Sequence, residues 1–246
     1  MTSSSRTSRT GTWTRTTGWR LRARRVGAAA LVALATVIAH GTHADAAVPR
    51  VCAGVAGCRV VSHADVDGDG RRDAVGVVRR GADGAGNGRV VVRVRTATRI
   101  VSTERRLSYW YGRPWRGAAR LDGVPGAELV LGRTTGAHTM FEQVLTWRGG
   151  RLVGLRAPGG QGSWVLDATV NFQLGWLRRA GQPVGTVTRL DAQRNGGDGA
   201  TFTGTATRYS WSGGRWVERA RVTSTSLSQR TAYGWGGWHV PPLARS

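Results

Sequence analysis

The chain has 246 residues, with 36 basic against 14 acidic side chains and a formal charge of +22. Every base is arginine, and the arginines are scattered singly or in pairs among abundant Ala, Gly and Val. This describes a generally cationic surface; no helix-turn-helix, zinc-finger or RNA-recognition motif accompanies it, so no specific nucleic-acid partner is expected.

Residues 1–25 hold seven Arg and no acid, and residues 26–39 follow as the apolar run VGAAALVALATVIA. A small-residue site stands at Ala44-Asp45-Ala46, so residues 1–46 are expected to be an export signal, cleaved before Ala47, and the protein to be secreted. The pair Arg24-Arg25 leaves general and twin-arginine export both open. The apolar run is shorter than the roughly 20 residues of a spanning helix, and no later stretch is a better candidate, which argues against a membrane-embedded protein. Beyond residue 46 the chain keeps 29 Arg and 13 acids, a formal +16. Such a charge attracts anionic cell wall, lipid or nucleic acid over about 10 Å.

Residues 47–58 form an N-terminal segment containing the only two cysteines, Cys52 and Cys58. In an oxidising exterior they are expected to pair. A ring this short contributes roughly 2 kcal/mol by restraining the unfolded chain.

Residues 59–246 are read as a β-repeat domain, and its first motif is Asp65-Val66-Asp67-Gly68-Asp69-Gly70-Arg71-Arg72-Asp73. Calcium takes about six to eight oxygens, and carboxylates at loop positions one, three and five converge on one ion. Asp65, Asp67 and Asp69 hold those positions, and Gly70 permits the sharp turn. The carbonyl of Arg71 falls at position seven and Asp73 at position nine. An EF-hand requires Glu at position twelve and a helix after it; Gly76 stands there, followed by strand-like residues, so the EF-hand reading fails.

Apolar residues then alternate with polar ones instead of recurring at helical spacing, and no helix is expected. Strands are expected over residues 74–78, 89–95, 128–131, 141–147, 152–155, 164–170, 184–189, 201–209 and 216–222, separated by turns such as Gly149-Gly150 and Gly213-Gly214. Two internal echoes accompany them. Residues 144–153 match residues 208–217 in the pattern W-x-G-G-R-apolar-V, at an offset of 64. Residues 67–75 are echoed by residues 122–130 at an offset of 55, where Val124 and Pro125 replace Asp69 and Gly70, so this second loop is not expected to bind metal. Units of roughly 55 to 65 residues follow, about three in all.

Of nine Trp beyond residue 46, Trp147 and Trp211 are assigned to sheet cores. Two clusters lie in turn-like surroundings: Trp110, Tyr111 and Trp115, and then Trp235 and Trp238. They serve equally as core filling or as a surface that stacks on sugars or anchors a protein. No G-x-S-x-G or H-E-x-x-H is present; His138 with Glu142 is the one pair that could share a strand face, and an enzyme is not supported.

The segment D-V-D-G-D-G-R-R-D-A-V-G-V-V, residues 65–78, resembles the calcium loop of the FG-GAP and VCBS-type repeats, β-propeller units of integrin α subunits and of bacterial secreted proteins. The resemblance implies calcium held by Asp65, Asp67, Asp69, Asp73 and the carbonyl of Arg71, in a hairpin between strands. It covers this segment closely and the rest thinly. The expected class is therefore all-β, with antiparallel sheets arranged as propeller-like blades, or alternatively a β-barrel or sandwich carrying one calcium loop. The expected function is a secreted, non-catalytic, calcium-stabilised module that binds an extracellular glycan, cell-wall polymer or protein partner. A secreted hydrolase and a cationic polyanion binder are the alternatives.

Overall fold

A computed structural model describes residues 48–196 and 200–243. The expected export segment, residues 1–46, lies outside the described residues.

Strands β1 (Arg59–Ala64), β2 (Asp73–Arg80), β3 (Gly88–Arg95) and β4 (Ile100–Leu107) form an antiparallel meander in sequence order. Alternation explains β3: Val90, Val92 and Val94 are buried on one face, while the opposite face carries Arg93 and Arg95. These two arginines hold down the N-terminal segment, Arg93 Nε donating to the carbonyl of Val51 at 2.7 Å and Arg95 Nε to that of Val48 at 3.1 Å. The segment is closed by the Cys52–Cys58 disulfide, as expected. Its sulfurs lie over Gly76 of β2, where a Cβ would stand 3.0 Å from Cys52 Sγ and 3.1 Å from Cys58 Sγ.

A second meander follows: β5 (Trp115–Ala119), β6 (Glu128–Thr135), β7 (Thr139–Arg148) and β8 (Arg151–Leu155). Strand β9 (Trp164–Ala168) resumes pairing along the edge of β7 where β8 stops, with β8 opposite residues 144–148 and β9 opposite residues 139–142. A third meander, β10 (Phe172–Leu177), β11 (Thr186–Arg194), β12 (Thr201–Ser212) and β13 (Arg215–Ser228), joins through β9 to make one ten-stranded sheet. The chain ends in a five-residue helix α1 (Gln229–Tyr233), whose first turn is capped by Ser228, and in β14 (Gly237–His239), which lies parallel to β10. The two Gly-Gly pairs make the β7–β8 and β12–β13 turns, all four glycines at φ between 54° and 77°, a conformation that costs other residues steric strain.

Strand β6 is buried on both faces. Leu129 and Leu131 pack with Val75, Val90 and Val92 of the first meander, whereas Val130 faces a second core with Val144, Trp164, Trp176 and Val187. Trp164 is the hub of that second core: its ring centroid lies 4.7 Å from Trp176, 5.4 Å from Trp238 and 5.9 Å from Trp216. The chain terminus closes the same core with Trp238, Val240 and Leu243. Glu142, fully buried on β7, bolts it down by accepting from Trp238 Nε1 at 2.7 Å and from Arg116 Nε of β5 at 2.9 Å.

The class is all-β and the sheets are antiparallel apart from the β10–β14 pair. Neither sheet closes on itself, which removes the barrel alternative and agrees with a sandwich-like packing of the first meander on β6 and β7. Helix α1 was not expected, since a single turn and a half carries no apolar periodicity.

Candidate functional site

The acidic loop is the hairpin connection between β1 and β2. Carboxylate oxygens of Asp65, Asp67 and Asp73 lie within 4.8 Å of one another. Backbone amides hold each of them in place. Asp73, buried at the head of β2, accepts from the N–H groups of Val66 at 2.8 Å and Asp67 at 3.2 Å, and Asp65 accepts from Gly68 at 2.8 Å and Gly70 at 3.1 Å. The Asp69 carboxylate is not brought into this group: Asp69 is exposed, and its carboxylate accepts the N–H of Arg71 at 2.8 Å. Burial, then the neighbouring charges of Asp69 and Asp65, pushes the Asp67 carboxyl above its ordinary range. Burial also raises Asp73, with Asp67 and Asp69 adding to it. Crowded carboxylates of this kind favour a proton or a cation between them.

The second loop repeats the architecture with different chemistry. Glu128 heads β6 as Asp73 heads β2, and its carboxylate accepts the N–H of Leu121, seven residues earlier, at 2.6 Å, just as Asp73 accepts from Val66. Glu128 also accepts from Thr146 Oγ1 at 2.8 Å. Beside it, buried Asp122 is ion-paired with the guanidinium of Arg148, which donates in addition to Thr146. A side-chain cation, Arg148, thus neutralises Asp122 in the second loop. Burial first, then the charge of Asp122, raises the Glu128 carboxyl to about 7. The loops of successive meanders also touch: Ala127 N–H donates to the carbonyl of Asp65 at 2.7 Å, and Gly185 N–H to that of Leu121 at 3.0 Å.

The two aromatic clusters do not form open surfaces. Trp110 is only 4% exposed and its ring lies flat against Gly132, where a Cβ would meet it at 2.0 Å. Arg79 ties down its turn by donating to the carbonyls of Trp110, Gly86 and Gly112. Trp115 is half-buried against the same core, and Tyr111 alone is exposed, at 69%. Trp238 is 1% exposed in the second core. Trp235 is half-buried against Phe202, Ala192 and Leu227, and lines a cleft of about 340 Å³ with Arg179, Arg208 and His239. The possible His138–Glu142 pair does not form: His138 is exposed, and Glu142 is buried with Arg116 and Trp238, its carboxyl raised by burial.

A larger cleft, of about 530 Å³, opens between the β7–β8 and β12–β13 hairpins. Trp211 and Trp216 form its aromatic wall, their centroids 5.2 Å apart and their planes at 75°. Trp211, expected in a sheet core, does pack against the second core but also faces this cleft; Trp216, for which no binding role is expected, faces it too, and both sit in the repeated W-x-G-G-R hairpin. Among the described residues no helix is long and apolar enough to cross a membrane. Comparison of the chain with protein-family models, with curated proteins and with solved structures returned no match.

Proposed function

We propose that the protein is a secreted, non-catalytic, calcium-stabilised β-repeat module that binds an extracellular glycan or cell-wall polymer. The observation that carries the calcium reading is the convergence of Asp65, Asp67 and Asp73 at the head of β2, set against the equivalent loop, where Arg148 supplies the positive charge. The three carboxylates suit a hard cation, and they would hold it where the hairpin enters the first core. Calcium there links β1 to β2 and neutralises buried Asp73; it supplies stability, with no reaction assigned to it. The repeat reading is supported by the three meanders and by the contacts between their opening loops, which would make each meander one propeller-like blade. Secretion is supported by the disulfide and by the residues 1–46 pattern.

The test is thermal unfolding of residues 47–246 in EDTA, then in calcium, with magnesium as control. For a dissociation constant in the extracellular range, roughly 0.1 to 1 mM, calcium at tenfold excess stabilises by about 1.4 kcal/mol. The melting temperature should rise by about 3 to 6 °C in the wild type and not in Asp67→Ala. An unchanged melting temperature in the wild type would sink the calcium reading.

A further inference from the structure

The cleft between the β7–β8 and β12–β13 hairpins combines features not used above. Its aromatic wall is rigid. Trp216 Nε1 donates to the carbonyl of Arg156 at 3.0 Å, and the Trp216 ring stands edge-on to the core hub Trp164 at 5.9 Å, so the wall is the outer end of a continuous tryptophan stack. Both wall residues remain half-buried, leaving ring surface open to the cleft. Its rim is cationic. Arg156 and Arg215 are exposed at the two hairpins; among the described residues the Arg215 side chain makes no hydrogen bond or ion pair, and the Arg156 side chain makes one, to the Gly160 carbonyl at 3.3 Å. Among the described residues no acidic side chain lines the cleft.

Flat, preordered aromatic surface is complementary to the apolar face of a pyranose ring, and a free guanidinium is complementary to carboxylate or phosphate. Trp211 also lines a neighbouring hollow of about 360 Å³ with Val184, Ser210 and Asp122, whose carboxylate is paired with Arg148. We propose that this cleft binds an acidic polysaccharide chain, with sugar rings against Trp211 and Trp216 and the anionic groups on Arg156 and Arg215. The proposal rests on the binding-module reading above and assigns it a site and a ligand class.

The experiment is calorimetric titration of the calcium-loaded protein with four probes: oligogalacturonate, a phosphorylated mannan, neutral galactan, and inorganic polyphosphate as an anion without rings. The first two arms distinguish carboxylate from phosphate as the recognised group. Trp211→Ala and the double variant Arg156→Gln/Arg215→Gln leave Trp164 and Trp216 in place, and variants whose melting temperature matches the wild type are used. Binding of at least one acidic glycan by the wild type, weakened about tenfold or more in both variants, is expected. Polyphosphate binding by Trp211→Ala should stay within about twofold of the wild type, since simple charge attraction does not need the ring. Failure of the wild type to bind either acidic glycan, wild-type affinity in either variant, or an equal loss for polyphosphate in Trp211→Ala overturns the proposal. A calcium-dependent melting shift persisting alongside any of those results leaves the calcium reading standing, so the two failures are separable.

Discussion

Replacing Glu128 by Gln should stabilise the protein at neutral pH, by an amount that depends on pH in a defined way. In the folded chain Glu128 is 1% exposed and keeps its proton up to about pH 7; in the unfolded chain it ionises near its ordinary 4.5. The folded state therefore binds more protons than the unfolded state between those values, and stability falls as pH rises through that window. With about 1.4 kcal/mol per pH unit, the loss attributable to this one carboxyl reaches about 3 kcal/mol by pH 7. Below pH 4.5 both states are protonated and the loss vanishes. Glutamine keeps the shape and an oxygen for the Leu121 N–H, and it cannot ionise. For a domain of this size, the Glu128→Gln variant should melt about 6 to 12 °C above the wild type at pH 7, with the gap shrinking toward pH 4.5. The assay is the melting temperature of both proteins across that range, in EDTA to keep the acidic loop metal-free. Other buried acids whose carboxyls are raised, Glu142 and Asp191 among them, slope both curves alike and cancel in the difference. Two parallel curves across the window would refute the reasoning.

Arg148→Met should cost about 3 kcal/mol in urea unfolding, because it leaves Asp122 buried without its cation. Adding Asp122→Asn should recover most of that loss, and a double variant no better than the single would show the pair to be independent. Gly132→Ala drives a methyl group into the Trp110 ring and should cost about 1 to 3 kcal/mol, with a changed near-ultraviolet dichroism reporting the displaced indole. Wild-type stability in that variant would mean that the Trp110 ring is free to leave the core.

The strands most legible in the sequence were those with one apolar face, such as β3, where Val90, Val92 and Val94 alternate with polar or half-exposed positions. Strands β1, β4, β5, β10 and β14 were missed, because none shows a clean alternation. In β4 the sequence Ile100–Leu107 is mostly polar, with only Leu107 buried, and its place is fixed by hairpin pairing with β3 and not by an apolar face of its own. In β10 both Gln173 and Leu174 are buried, so the alternation is masked. The acidic loop was readable because carboxylate spacing is local, and Asp65, Asp67 and Asp73 lie together as read; what spacing does not show is that the Asp69 carboxylate stands outside the group. The tryptophans were the least legible. A Gly- and Pro-rich neighbourhood says that the backbone turns at Trp110 and Trp238, but whether the ring points out or in depends on what the turn lands on, and here that is Gly132 and Glu142.

The buried Glu142 carboxylate and its partner Trp238, 96 residues further on, impose an order of events. A chain grows from its N-terminus, and the first meander has all of its strands once residue 107 has emerged. The tryptophan core has no such early completion. Trp164 waits for Trp238, Val240 and Leu243, and both oxygens of Glu142 are partnered only when Trp238 arrives to join Arg116. Residues 238–243 lock the larger sheet, so a growing chain keeps that half open until they have been added, long after the first meander has all of its strands.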